Sequence, residues 1–250
     1  MRLHEKVAIV SGGSRGIGKA IAIGMALEGA KVVVCYRGAK DEANQVVDEI
    51  CSKGGIATPI QMDVASKIDR EKLIQKTLES FGRINILVNN AGVISWHKFF
   101  DATEEEWNRQ FDVNLKGPFF LSLEVAKEMI RIGGGSIINI GSTAGYRVKK
   151  SLSIYSLTKA GIAMLTQQLA YELGPHQIRV NCILPGTTET DINREALSEP
   201  GNKQSQIDET PLGRLGEAQD HVGAAVFLGS DESSWITGLL MPIDGGNVVL

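Results

Sequence analysis

The sequence predicts an α/β fold: a single-domain, doubly wound parallel sheet of about seven strands with helices on both faces, spanning residues 1–250. Three observations predict it. Short apolar runs rich in Val and Ile recur along the chain, stretches mixing polar and apolar residues separate them, and no linker, low-complexity tract or internal repeat breaks the alternation. Strands covered on both faces lose the polar–apolar alternation of a half-exposed strand, so continuous Val/Ile runs point to a parallel sheet. Strand and helix in alternation build right-handed βαβ units.

The elements follow in order. KVAIVS is the first strand, and after a glycine-rich turn a helix is expected over Lys19–Glu28. KVVVCY, ATPIQM and INILVN are the next three strands, separated by helices over Asp41–Lys53 and Lys67–Phe81. A long helical stretch, Glu104–Ile132, leads to SIINIG, and Ser153–Leu173 leads to IRVNCIL. Residues 187–216 form a polar connection with Pro200, Gly201 and Pro211 and no strand signal, the signature of a binding loop or lid. A helix over Glu217–Leu228 and the strand LLMPID complete the sheet. The terminal GGNVVL carries no charged side chain and is expected to pack against another surface, such as a second subunit.

Composition excludes several classes. A net charge of −3 argues against a nucleic-acid surface, and no apolar run approaches the ~20 residues of a membrane span. Cysteines 35, 51 and 182 are odd in number and scattered, as expected of reduced thiols in a cytoplasmic protein. Histidines 4, 97, 176 and 221 show no ligand spacing, so no metal site is expected.

SGGSRGIGKA follows the first strand directly. Its glycines, Gly12, Gly16 and Gly18, are spaced G-x-x-x-G-x-G and would let the backbone approach a pyrophosphate at a helix N-terminus. Gly12, Ser14, Arg15, Gly16, Ile17 and Gly18 are therefore candidate cofactor contacts. Strand two ends in Cys35-Tyr36-Arg37 without the carboxylate that would favour NAD. Arg37 with Arg15 suits a 2′-phosphate, so NADP is preferred, with Asp41 and Glu42 leaving NAD possible. Asp63 and Val64 follow strand three, within reach of an adenine amino group. Asn90, Ala91 and Gly92 close strand four, where small residues let a cofactor lie close to the sheet and the Asn amides can tie strands together.

Ser142 ends strand five, and YSLTK places Tyr155 and Lys159 on one helix face. Together they suit proton transfer beside a nicotinamide. The Lys159 cation and the positive ring of an oxidised cofactor are expected to pull the Tyr155 phenol toward the working pH. Tyr155 then takes a hydroxyl proton as hydride leaves the adjacent carbon, while Ser142 holds the same oxygen.

SGGSRGIG, Asp63, NNAG at 89–92, Asn114 in DVNLKG, Ser142, YSLTK, and PG at 185–186 followed by Thr190 resemble the short-chain dehydrogenase/reductase family over essentially the whole chain. The resemblance implies that Asn114 joins the catalytic set through a water-linked proton route, and that Lys159 also grips the nicotinamide ribose. It further implies that Thr188 and Thr190 contact the nicotinamide end, that Arg15 and Arg37 go with NADP, and that the protein is a homotetramer burying Phe119, Phe120 and the VVL tail. Segments 184–199, 210–220 and 236–246 resemble sugar-oxidising members, those acting on L-rhamnose most of all and glucose next. A sugar site needs polar groups for hydroxyls and one apolar face. Trp96, Ala144, Leu152 and Asn193 join Ser142 and Tyr155 as substrate candidates, with His97, Arg147 and Glu189 as further polar groups. Reductases acting on 3-oxoacyl carrier proteins share the motif set and would use a basic patch, for which Arg131, Lys149 and Lys150 are the candidates. A sensor that binds NADP without turnover has no need of an activated phenol.

Overall fold

The computed structural model describes residues 1–249, with the side chain of Val249 left aside. Seven strands pair in parallel in the order β3-β2-β1-β4-β5-β6-β7. They are β1 (Val7–Val10), β2 (Lys31–Tyr36), β3 (Ile56–Gln61), β4 (Ile86–Asn89), β5 (Gly135–Ile140), β6 (Ile178–Pro185) and β7 (Leu240–Ile243). All seven apolar runs become strands.

Helices cover both faces. Alternate strand residues point to opposite sides, so Ala8 and Val10 join one core and Ile9 the other. The first core packs Ile21 and Met25 of α1 (Gly16–Leu27), Val46 and Ile50 of α2 (Lys40–Ser52), and Val226 and Leu228 of α9 (Val222–Gly229). The second packs Leu73 of α3 (Lys67–Phe81), Leu121 and Met129 of α5 (Gly117–Arg131), and Ile162 and Leu169 of α6 (Ser153–Leu173). Each such side chain contributes about 1.5–3 kcal/mol on leaving water. Strand order reverses between β1 and β4, which opens the crevice where α/β sheets hold ligands.

The structure departs from the expected elements in three places. The helical stretch Glu104–Ile132 is two helices, α4 (Glu104–Phe111) and α5, joined by a widened π turn over Asp112–Lys116. Pro118 near the start of α5 has no N–H to continue the α4 ladder. The stretch expected as Glu217–Leu228 begins as a 3-10 turn over Ala218–His221, stabilised by a reciprocal Glu217–Asp220 capping box, before α9. The connection 187–216 holds two short helices, α7 (Arg194–Ser198) and α8 (Asn202–Asp208), and a bridge between Thr188 and Gly216. Helices of five and seven residues are too short to leave a periodic pattern. The expected packing of the VVL tail lies in part outside the described residues.

Candidate active site

Four segments meet at the carboxyl edge of the sheet. The first is the glycine turn, whose backbone needs φ of +63° at Gly12 and +55° at Gly16. A Cβ on Gly18 would lie 2.3 Å from both the Gly12 carbonyl oxygen and Asn90 Nδ2. Ser11 Oγ donates to Val88 O (3.2 Å) and accepts from the amides of Asn90 (2.9 Å) and Ala91 (3.0 Å). Asn90 Nδ2 donates to the Ser11 and Gly12 carbonyls, each at 3.0 Å, so NNAG braces the turn. α1 then starts with no side-chain cap and no acidic residue in its first turn, which leaves amides and the positive dipole end for an anion.

The second segment is the β2–β3 edge. Arg15 and Arg37 are both exposed there, and neither forms an ion pair among the described residues. Gln61 Nε2 donates to the Arg37 carbonyl at 2.9 Å, and Asp63 Oδ1 accepts from the Ala65 amide at 2.9 Å. Arg70, buried and paired with Glu124 at 3.2 Å, donates to the Val64 carbonyl at 2.9 Å and fixes that backbone. A turn with no room for Cβ, an uncapped helix start and two unpaired guanidiniums fit a dinucleotide phosphate.

Third come Ser142, Tyr155 and Lys159. A Cβ on Gly145 would lie 2.8 Å from the Ala160 amide nitrogen, so the loop after β5 rests directly on the α6 backbone and carries Ser142 to Tyr155. Ser142 Oγ accepts from the Ala144 amide at 3.1 Å, and the Ser142 side chain is near enough to the Tyr155 phenol to favour its ionised form. Lys159 is 5% exposed; its Nζ donates to Ile140 O at 2.8 Å and lies 5.5 Å from the Tyr155 ring centroid. Burial pushes the Tyr155 phenol up to about 12, against a smaller lowering by the Ser142 hydrogen bond, and pushes Lys159 down to about 8. In the protein alone desolvation decides the direction for Tyr155; the lowering expected beside Lys159 belongs to the site with an oxidised cofactor's positive ring in place. Asn114, buried in the π turn, accepts from the Val93 amide and donates to the Val93 carbonyl, both at 2.8 Å, and to Thr158 Oγ1 at 3.2 Å. A Cβ on Gly92 would lie 3.5 Å from Asn114 Oδ1 and 4.0 Å from Lys159 Nζ, which places Gly92 between the two.

The fourth segment is the loop after β6. Thr190 Cγ2 lies 3.4 Å from the Cβ position of Gly16, so this loop closes on the glycine turn. Asn193 braces the loop: its Oδ1 accepts from the Thr190 amide (3.0 Å) and its Nδ2 donates to the Thr188 carbonyl (2.9 Å), which leaves one N–H. Glu189 pairs with Lys203 at 2.7 Å. Ala144 and Leu152 are buried, while Trp96 is 42% exposed. A cleft of about 450 Å³ lined by His97, Ala144, Arg147, Ser151 and Ser153 adjoins them. A depression of about 500 Å³ at the amino edge of the sheet, around Gly133–Ser136 and Trp235, holds none of the candidate residues.

Over the cleft runs a strap that sequence reading missed. Lys149 Nζ pairs with Glu209 (2.9 Å) and donates to Gln206 (3.3 Å), while Thr187 Oγ1 donates to Gln206 (2.8 Å). Arg147 donates to the Asn247 carbonyl at 2.8 Å, and Asn247 Nδ2 donates to the Glu209 carbonyl at 2.8 Å. The partners are 19 to 100 residues apart, and no local spacing announces them.

This chain matches, over residues 12–247, the family model described as enoyl-(acyl carrier protein) reductase. It is 40% identical over 250 residues to L-rhamnose 1-dehydrogenase (NAD(P)(+)) of Azotobacter vinelandii, covering 98% of each chain. The chain is a short-chain dehydrogenase/reductase. As a short-chain dehydrogenase/reductase it is an oxidoreductase acting on CH–OH groups with a nicotinamide cofactor. It is also 39% identical to a 3-oxoacyl-[acyl-carrier-protein] reductase of Staphylococcus epidermidis, over 97% of this chain and 98% of that one. A gluconate 5-dehydrogenase from Burkholderia cenocepacia, solved with NADP and tartrate, superposes with a TM-score of 0.95 at 31% identity, covering 100% of this chain and 97% of that one.

Proposed function

We propose that this short-chain dehydrogenase/reductase oxidises C1 of an aldose, L-rhamnose in preference, to the aldonolactone, with NADP preferred over NAD. The observation that carries the reading is full-length identity of 40% to an L-rhamnose 1-dehydrogenase. The cleft beside the loop that carries Ser142 supports it, with polar groups at His97, Arg147 and Ser153 and apolar ones at Ala144 and Leu157.

NADP, when bound, accepts the hydride from C1. Tyr155 takes the C1 hydroxyl proton, and Ser142, close beside the phenol, holds the same oxygen as charge develops. Lys159 holds positive charge beneath the phenol, and two of its three N–H donors remain beyond the one given to Ile140. Asn114 keeps the Val93 backbone and Thr158 in place behind that lysine. Arg15 and Arg37 hold the 2′-phosphate, Asp63 and Val64 the adenine, and Thr188 and Thr190 the nicotinamide end. We place the protein in the cytoplasm as a homotetramer.

The carrier-protein reductase reading keeps the support of its relatives but loses its basic patch. Lys149 is taken by Glu209, Arg131 is exposed but pairs with Glu128 at 2.7 Å, and Lys150 is the one of the three with no ion pair among the described residues. A spectrophotometric screen of aldoses, polyols and acetoacetyl thioesters with both cofactors decides between them. L-Rhamnose with NADP is expected to give the highest rate; silence on aldoses with activity on acetoacetyl thioesters overturns the sugar reading. Arg37→Asp is expected to lower the NADP/NAD ratio of kcat/KM by about tenfold or more, through loss of a charge-assisted contact. An unchanged ratio places the 2′-phosphate elsewhere.

A further inference from the structure

Beneath the loop after β6 lies a histidine that the chemistry above does not use. His221 is wholly buried, and its Nε2 stands 2.9 Å from Oγ1 of Thr188, itself 6% exposed. That hydroxyl donates to the Gly186 carbonyl at 3.2 Å. A hydroxyl has one proton to give, so His221 Nε2–H is the donor of the pair and Nδ1 carries the lone pair. Nδ1 meets no partner among the described residues. A Leu or Ile of similar size would fill this site without an unmatched polar atom, so packing alone does not account for an imidazole here. Burial keeps the ring neutral, and the adjacent Asp220 is engaged by Arg214 at 2.7 and 2.8 Å.

The hydrogen bond reaches the cofactor edge through a short relay. Thr188 bridges to Gly216, and its carbonyl accepts from Asn193 Nδ2. Asn193 in turn fixes the Thr190 amide, and Thr190 packs over Gly16. We infer that His221 is a positioning residue for the nicotinamide-side loop, holding Thr188 so that Thr188 and Thr190 meet the cofactor with their backbone already ordered. This rests on the assignment of Thr188 and Thr190 to the nicotinamide end.

The test uses binding without sugar, so it is independent of which substrate the enzyme turns over. NADPH probes the whole site, and adenosine 2′,5′-bisphosphate probes the adenosine half alone. His221→Leu is expected to raise the Kd for NADPH about five- to tenfold, the loss of one ordering hydrogen bond. The Kd for adenosine 2′,5′-bisphosphate and the melting temperature are expected to hold. His221→Gln, whose amide also donates, is expected to restore most of the NADPH affinity. An unchanged NADPH Kd in folded His221→Leu overturns the inference, as does equal weakening of both ligands. Should His221→Leu fail to fold, His221→Met removes the same donor with a flexible apolar side chain and is expected to show the same selective loss; no selective loss there overturns it. Wild-type protein that binds NADPH but oxidises no aldose sinks the substrate reading alone.

Discussion

A cation is costly where Lys159 sits. The group is 5% exposed, and its pKa falls from 10.5 to about 8 because burial penalises the charge. The sign follows from linkage: below about pH 8 the folded protein bears the whole penalty, and from pH 8 to about 10.5 the folded form has released the proton while the unfolded chain keeps it, so stability rises with pH across that window. Lys159→Met is therefore expected to abolish activity yet stabilise the fold by about 1–2 kcal/mol near pH 7, with the gain shrinking above pH 8. Urea unfolding at pH 7 and pH 9.5 measures this, and a lower midpoint at pH 7 refutes it. Tyr155→Phe removes the proton acceptor but keeps the ring, so turnover is expected to fall at least about a thousandfold while the NADPH Kd changes less than about twofold. Near-normal activity in that variant rules out Tyr155 as the base. The Y-x-x-x-K spacing was legible in the sequence because a helix repeats every 3.6 residues. The raised phenol was not, because desolvation depends on what packs around the ring.

At the scale of elements, the β1 turn and the β6 loop close on each other through Thr190 and Gly16, and the strap of Lys149, Glu209 and Gln206 fastens the short helix α8 to the loop after β5. Lys149 is partly buried, so its pair contributes at most about 1 kcal/mol. Lys149→Ala is expected to raise the sugar KM about three- to fivefold while leaving the NADPH Kd and melting temperature nearly unchanged. A variant with wild-type KM shows that the strap does not hold the lid during turnover. The strands were readable because each is a continuous apolar run buried on both faces. The break between α4 and α5 was not, since the helical pattern runs through residues 104–132 and the widened turn arises where Asn114 reaches back to Val93. The loop bonds of Asn193 were equally hidden: an amide in a polar loop suits a sugar as well as it suits the loop's own backbone.

For the whole molecule, the unexplained surface is apolar. Phe119, Leu123 and Ile130 lie exposed along one stripe of α5, and Leu157, Met164 and Tyr171 repeat every seven residues along α6. Stripes of this kind are the surface the proposed homotetramer would cover. Light scattering is expected to give four copies per particle for the wild type. Phe119→Glu combined with Met164→Glu is expected to yield smaller particles with unchanged far-ultraviolet circular dichroism. A monomeric wild type refutes the assembly.

The sequence by itself determined the layer architecture, the place of the glycine turn, and the residue types that carry proton transfer, because these depend on local periodicity and on chemistry that each side chain brings with it. Only the tertiary structure decided which of those groups are buried, which are already engaged, and which distant partners complete them. Gly145 against the α6 backbone, Arg70 on Glu124, Lys149 on Glu209 and His221 under Thr188 all join segments far apart in the chain. Such contacts are set by how the crossover connections stack, and hydrogen bonds and desolvation respond to distances in space rather than along the chain.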